Sequence, residues 1–184
     1  FRYNAYFGIH TVHYLDLADA RGPEKLPLAA IFASALLTRA ARAGRDGPDS
    51  EPVLSAFSQN LFNRLNTLKF LAYIKDDGYP EIVPLIQCRA DGSRKLVFSG
   101  PAYGSEIKEI PSGAEVAVFG LTMQMESVLV RGAFSGIAGR PLIPAAVVDI
   151  NWVYNSMPPA HGQIYPQPPL EPVTGWADFI APTP

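Results

Sequence analysis

The alternation of apolar and polar residues is most informative between Phe70 and Leu85, where two apolar runs flank a polar turn. The runs read FLAYI and EIVPLI, and the turn reads KDDGYP. Asp-Gly is a strong hairpin signal, because glycine accepts the positive φ of a tight turn. Pro80 has no N–H to donate and is placed at a strand start, while Pro84 marks a second unpaired backbone position. The pattern predicts a β-hairpin whose interrupted second strand can present its backbone to a flat ligand.

Further apolar segments follow this hairpin, with turn signals every 8 to 12 residues, which is the spacing expected of a small barrel. Beside the two strands of the hairpin, we predict strands at 95–99, 114–121, 127–137 and 147–154, with a turn at 91–93, a short helix at 105–110 and a hairpin tip at 123–126. The count after residue 68 is about six strands. The predicted fold class is mainly β (α+β), a six-stranded barrel with flanking helices.

Upstream of the hairpin, the pattern predicts a strand-helix extension and one further helix. Residues 1–17 alternate as one or two strands, and residues 28–43 keep helical spacing with a solvated, arginine-rich end. The apolar positions of this helix that keep helical spacing are Leu28, Ile31, Phe32, Ala35, Leu36 and Ala40. A polar linker at 45–52 separates a second helix, capped by Ser50 and running to about Leu65. The expected division is therefore 1–48 and 49–184, the latter ending in a proline-rich tail. A faint echo between HTVHYLDL and DINWVYNS leaves a duplicated barrel as a second interpretation of the first part.

Composition excludes several functional classes. The net charge of −2 gives no electrostatic support for nucleic-acid binding. The longest apolar run, Leu26 to Leu37, is shorter than the roughly 20 residues of a membrane span. A single cysteine excludes an internal disulfide and a Cys-based zinc site, and fits a reducing compartment, so we expect a cytoplasmic protein. The chain begins with Phe1, without a signal-peptide pattern, and we expect it to continue further at the N-terminus.

No side chain stands out as a general acid, base or nucleophile, so the catalytic residues stay unassigned. His10 and His13 would face opposite sides of a strand, which argues against a shared metal. His161 is expected in a solvated loop, although it could reach a partner's ligand. Cys88 is expected to be a small core residue.

Aromatic residues and methionines suggest contact surfaces instead. Trp152 and Tyr154 are expected to be core or dimer contacts in preference to a stacking platform. Met123 and Met125 are expected to be exposed at the hairpin tip, as part of a contact surface.

Taken in order, the DGYPEIVP hairpin, the KLVFSG strand before a serine-bearing loop, and the V-x-G strand at Val130 to Gly132 resemble the pyridoxamine 5'-phosphate oxidase-like FMN-binding split β-barrel family. The resemblance covers roughly residues 52–140. It implies a homodimer with FMN at the subunit interface. It also implies a role for eight residues as cofactor ligands: Val83, Pro84, Leu85 and Ile86 along the isoalloxazine, Ser99 and Gly100 near the ribityl chain, Ser105 at the phosphate, and Lys108 nearby.

The sequence departs from the family pattern at the expected phosphate site. The family places a basic residue just after the serine, whereas this chain has Glu106 and Ile107, and Lys108 follows late. Two functions are therefore weighed: an FMN-dependent oxidoreductase with a small-molecule substrate, and a non-catalytic flavin- or ligand-binding module that has lost tight FMN binding. Heme or a deazaflavin in the same groove is a third possibility. The arginine-rich phosphate motif of the true oxidase has no counterpart, which argues against pyridoxamine phosphate oxidation.

Overall fold

The computed structural model describes residues 16, 25–41, 51–140, 143–155, 162–167 and 169. The central hairpin is confirmed. Strand β1 (Leu68–Ile74) pairs antiparallel with β2 (Pro80–Pro84). Gly78 takes φ +84° in the turn, as the Asp-Gly signal requires. Pro80 begins β2 and Pro84 ends it, so neither interrupts the ladder from within.

Six further strands continue the sheet, and all the pairings are antiparallel. They are β3 (Arg89–Asp91), β4 (Lys95–Ser99), β5 (Glu115–Leu121), β6 (Ser127–Arg140), β7 (Ile143–Asn155) and β8 (Gly162–Tyr165). The order is β2-β1-β5-β6-β7-β4-β3, and β8 also pairs with β7. The mainly β class is confirmed, and this open sheet agrees with a split barrel.

The described residues form eight strands, two more than the expected count of about six. The two unforeseen strands are β3, which has three residues, and β8, which lies in the proline-rich tail and has four. The composition of β8 is typical of a loop, so its sequence alone does not predict a strand. The segment is a strand because it pairs with β7.

Side-chain hydrogen bonds join the two ends of the sheet. Gln87, which follows β2, donates from Nε2 to the Ser99 carbonyl of β4 at 3.2 Å. Lys69 of β1 donates from Nζ to the carbonyls of Ile86 and Cys88, each at 2.8 Å. The apolar core lies inside this rolled sheet, with Leu71, Leu96, Phe98, Val118, Val130 and Val148 among its buried members.

Three helices flank the sheet: α1 (Leu28–Ala40), α2 (Ala56–Asn63) and α3 (Gly104–Glu109). The expected cap Ser50 is wrong, because α2 begins after Ser55, whose Oγ accepts from the Ser58 N–H at 3.2 Å. Just before it, Leu54 is buried and its N–H donates to the Ser93 carbonyl at 2.8 Å. This contact holds the segment out of a helix until Ser55. The helix also ends at Asn63, short of Leu65.

The largest apolar residues that keep helical spacing in α1 do not lie on its buried face. Leu28, Phe32 and Leu36 are 59%, 63% and 68% exposed. The buried positions are Ile31, Ser34, Ala35 and Thr38. Hydrophobic spacing alone misplaced the face, because the helix is oriented by two hydroxyl groups that bind backbone amides, as described below.

Several expectations lie outside the described residues: the strands of 1–17, the histidines at 10, 13 and 161, and the arginines at 42 and 45. The division at 48 stays a prediction. Among the described residues, no helix is long and apolar enough to cross a membrane.

Candidate functional site

The predicted ligands on and after β2 differ in accessibility. Val83 and Leu85 are buried in the core, at 1% and 0% exposure, and the Leu85 N–H donates to the Lys69 carbonyl at 2.8 Å. Pro84 and Ile86 are half-buried. Only Pro84 and Ile86 therefore have side chains partly open to a ligand at this point.

A cavity of about 290 Å³ brings together Ser99, Gly100 and Lys108 from the predicted set. It lies between the end of β4, helix α3 and the neighbouring ends of β6 and β7. Its other walls are mainly apolar: Leu37, Pro101, Gly104, Ile107, Ile137, Pro144 and Ala146. Lys108 is the one charged side chain among the described lining residues, so the cavity offers little to a phosphate dianion.

Helix α1 binds the loop that follows β4. The Ser99 N–H donates to Thr38 Oγ1 at 2.9 Å, and the Ala102 N–H donates to Ser34 Oγ at 2.8 Å. Both hydrogen bonds are buried. These two amide groups are satisfied inside the protein and have no hydrogen left for a ligand.

Ser105 is engaged by its acidic neighbour. Its Oγ donates to Glu106 Oε2 at 2.7 Å, on the exposed first turn of α3. A phosphate placed at Ser105 would compete with this carboxylate and be repelled by it. The residues at the expected phosphate position therefore do not fit the phosphate of FMN.

A larger groove, of about 650 Å³, lies on the outer face of the sheet. Its floor follows one row of paired residues across the strands: Ala72 opposite Ala117, Ala117 opposite Arg131, and Arg131 opposite Trp152. The two alanines leave room above the sheet. The remaining lining residues are Tyr73, Ile74, Pro80, Glu115, Val116, Asn151 and Pro166. We call this feature the outer groove.

Aromatic and cationic groups form one wall of the outer groove. The Arg131 guanidinium carbon lies 4.4 Å from the centroid of the Trp152 ring. Trp152 in turn stacks on Tyr154, with centroids 5.9 Å apart and planes 14° from parallel. Trp152 is half-buried and Tyr154 is 40% exposed, so neither is a core residue, and the expected dimer contact stays a prediction. The arrangement is an exposed stack that a further flat ring can extend.

Polar groups at the groove are also ordered. Asn151 Nδ2 donates to Glu115 Oε1 at 2.8 Å, across two strands that flank β6. Sequence reasoning missed the outer groove because its residues come from five strands, and only the β5–β6–β7 register brings Glu115, Arg131 and Trp152 together.

Two expectations on other candidate groups are confirmed. Cys88 is 1% exposed, and burial raises the pKa of its thiol to about 12, which fits a core residue and not a nucleophile. Met123 and Met125 are exposed at the β5–β6 turn. In the described part of the chain, no group of three His, Cys, Asp or Glu side chains could hold a metal ion.

No family model matches the chain, and no curated protein matches it. Among solved structures, it is similar to HupZ of Group A Streptococcus, with 13% identity, a TM-score of 0.49, and coverage of 60% of this chain and 98% of HupZ. It is also similar to a putative pyridoxamine 5'-phosphate oxidase of Lactobacillus delbrueckii, with 18% identity, a TM-score of 0.42, and coverage of 58% and 97%.

The second of these structures carries the name of the family that the sequence resembles. All of these TM-scores lie below 0.5 and the identities below 20%, so the function is proposed from the residues of this chain.

Proposed function

We propose that this chain is a ligand-binding split-barrel module that holds a flat aromatic ring in the outer groove and lacks a tight phosphate site for FMN. The observation that carries the proposal is the stack of Arg131, Trp152 and Tyr154 beside a floor of small side chains. A planar ligand can lie against this wall and pack its apolar surface against Ile74, Pro80 and Pro166. The Arg131 guanidinium keeps its edge donors for a carbonyl oxygen or an anionic group on that ring.

FMN is the first ligand to test, because the resemblance implies it. Its isoalloxazine has the flat shape that the outer groove suits, whereas its phosphate does not suit Ser105 beside Glu106. The FMN-dependent oxidoreductase remains the competing proposal. The two differ in whether the phosphate contributes to binding.

A homodimer is also part of the proposal. Exposed apolar side chains lie on the same outer face as the groove, among them Ile74 and Ile82, which are 64% and 61% exposed. A second copy of the chain would cover this surface and place the outer groove at the interface.

The experiment compares riboflavin with FMN in titrations of the full chain, followed by flavin fluorescence. If the ring alone is held, both ligands bind with dissociation constants within about threefold, whereas a working phosphate site makes FMN at least about tenfold tighter through charge-assisted hydrogen bonds. Trp152→Leu should weaken both ligands by about tenfold or more, because base-like rings gain about 1–3 kcal/mol from aromatic stacking. Ser105→Ala is the matched control and should change neither.

Two outcomes would overturn the proposal in different ways. Much tighter binding of FMN than of riboflavin, lost in Ser105→Ala, would restore the phosphate site and favour the flavoenzyme. Absence of binding by both flavins, or binding that Trp152→Leu leaves unchanged, would remove the outer groove as a flavin-type site.

A further inference from the structure

A third cavity, of about 390 Å³, is chemically unlike the other two. It lies between the last turn of α1, the end of α2, the start of β1 and the segment before β3. Its lining residues are Ala35, Arg39, Asn63, Leu65, Lys69, Gln87, Cys88 and Arg89. Three of the described lining residues are cationic and none is a carboxylate. We call this feature the basic cavity.

Lys69 provides the innermost positive charge. Its side chain points inward from β1, is 1% exposed, and donates from Nζ to the carbonyls of Ile86 and Cys88 at 2.8 Å each. An ammonium group has three donors, so one remains after these two bonds. Burial lowers the pKa of Lys69 to about 8. An anion in the basic cavity would favour the charged form.

Gln87 lines this cavity and carries a buried acceptor without a partner. It is 2% exposed, and its Nε2 donates to the Ser99 carbonyl at 3.2 Å, which fixes the orientation of the amide. Its Oε1 accepts no hydrogen bond. A buried acceptor left unpaired costs about 1–3 kcal/mol, so this oxygen favours a ligand that brings a donor.

The remaining groups add donors around the same space. Asn63 Oδ1 accepts from the Ala90 N–H at 3.1 Å, which leaves its Nδ2 hydrogens as donors. Arg89 Nη1 donates to the Arg39 backbone carbonyl at 3.4 Å, so the Arg89 side chain reaches the last turn of α1, and both arginines line the cavity. The cavity therefore presents many donors and a single buried acceptor.

We propose that the basic cavity binds a small anion that itself carries a hydroxyl group, of the class of a protonated phosphate, a phosphate monoester or a hydroxycarboxylate. The negative oxygens are bound by Lys69, Arg39 and Arg89. The hydroxyl of the ligand donates to Gln87 Oε1. This site shares no lining residue with the outer groove, and it does not depend on the flavin proposal.

A comparison of phosphate with sulfate distinguishes this proposal from nonspecific attraction of an anion to the arginines. The two ions have similar shape, but near pH 6.5 phosphate is mainly a monoanion that carries hydroxyl groups, whereas sulfate is a dianion with no hydroxyl to donate. Charge alone would therefore favour sulfate. In isothermal titration calorimetry of the full chain near pH 6.5, we expect inorganic phosphate to bind at least about tenfold more tightly than sulfate, which corresponds to one satisfied buried acceptor. Competition by glycerol phosphate and by lactate then shows whether the cavity prefers a phosphate monoester or a hydroxycarboxylate.

Variants assign the binding to this cavity. Arg89→Gln should weaken phosphate and sulfate alike, by about tenfold, because it removes a charge-assisted hydrogen bond. Arg64→Gln is the matched control, since Arg64 is exposed, lies 3.6 Å from Glu126 and does not line the cavity, although its chain neighbours Asn63 and Leu65 do. Gln87→Met should bring phosphate down to the affinity of sulfate. Because Gln87 is buried, the comparison of the two ions on the unaltered chain supplies the same information without requiring that variant to fold.

Three results would overturn the proposal: no phosphate binding, equal affinities for phosphate and sulfate, or equal losses in Arg89→Gln and Arg64→Gln. Trp152→Leu should bind phosphate like the unaltered chain. A failure of the flavin titrations together with success here would therefore separate the two sites.

Discussion

The Ala102 N–H donates a hydrogen bond to the Ser34 hydroxyl at 2.8 Å, and 68 residues of sequence separate this buried pair. Thr38 repeats the interaction one turn along α1, where its Oγ1 accepts from the Ser99 N–H and donates to the Ser34 carbonyl at 2.7 Å. Two small hydroxyl residues thus attach α1 to the loop after β4. The amide groups of a loop expected to bind a cofactor are bound by the protein's own helix.

Removal of the Thr38 hydroxyl should destabilise the fold. In Thr38→Val the shape is nearly kept, but the buried Ser99 N–H loses its acceptor, at a cost of about 1–3 kcal/mol in the free energy of unfolding. Thr38→Ser keeps the acceptor and should lose much less. The measurement is denaturant unfolding of both variants against the unaltered chain. Equal unfolding midpoints for Thr38→Val and Thr38→Ser would show that the hydrogen bond contributes nothing.

The hairpin could be predicted from the sequence because its determinants are local. Gly78 fixes the turn, Pro80 fixes the strand start, and period-two alternation fixes the face of β1. The face of α1 could not be predicted in this way. Its spacing favours Leu28, Phe32 and Leu36, whereas the tertiary contacts of Ser34 and Thr38 decide which side is buried.

The candidate sites were even harder to predict from the sequence, because their residues are brought together by long-range strand register. The outer groove requires that Arg131 lie opposite Trp152, and the basic cavity requires that Lys69 and Arg89 approach the same space. Neither relation has a local sequence signal. By contrast, the departure from the family pattern at Glu106 could be recognised in the sequence. The structure adds that the Ser105 hydroxyl donates a hydrogen bond to the Glu106 carboxylate.

Gly132, the glycine of the V-x-G strand, should not tolerate a side chain. A Cβ at this position would lie 2.2 Å from the Asp149 carbonyl oxygen, beside the irregularity where β6 and β7 change register. Backbone cannot move away as a flexible side chain can. Gly132→Ala should therefore lower the free energy of unfolding by about 2 kcal/mol or more, within the range of substitutions that overpack a core.

Gly104→Ala is the control for this prediction, because a Cβ on Gly104 meets nothing within 4 Å and the residue begins α3. It should be neutral or stabilise the protein by up to about 1 kcal/mol, since alanine has less freedom to lose on folding. Thermal unfolding of both variants distinguishes them. A Gly132→Ala protein as stable as Gly104→Ala would mean that the β6–β7 register is more tolerant than these distances imply.

Lys69 should make stability depend on alkaline pH. Burial lowers its pKa from 10.5 to about 8, so between these values the unfolded chain binds more protons than the folded chain. The free energy of unfolding should then rise with pH, by up to about 3 kcal/mol from this group. Cys88 acts in the opposite direction above about pH 9, because burial raises the pKa of its thiol to about 12.

The contribution of Lys69 is isolated by subtracting the unfolding free energies of Lys69→Met from those of the unaltered chain. The difference should increase between pH 8 and 10.5. Urea unfolding at a series of pH values measures it, with Cys88→Ala as a second background to remove the thiol. A difference that stays flat across this window would show that Lys69 titrates at its ordinary pKa.

The proposed dimer has a matched pair of surface variants. Ile82 is 61% exposed on the outer sheet face, opposite Ala72 of the groove floor, and Phe32 is 63% exposed on α1. Ile82→Asp would bury a carboxylate in the proposed interface, and a buried unpaired charge is costly, so the protein should sediment as a monomer at micromolar concentration. Phe32→Asp exposes the same charge on the other apolar face and should leave the dimer intact.

Sedimentation velocity of both variants decides which surface the second copy covers. If Phe32→Asp dissociates the dimer and Ile82→Asp does not, the interface lies on α1 and the outer groove is open to solvent. Riboflavin binding adds an independent reading, because a groove completed by the partner should lose affinity when Ile82→Asp separates the subunits. A monomeric unaltered chain that still binds riboflavin would show instead that the stack of Arg131 and Trp152 is sufficient within one subunit.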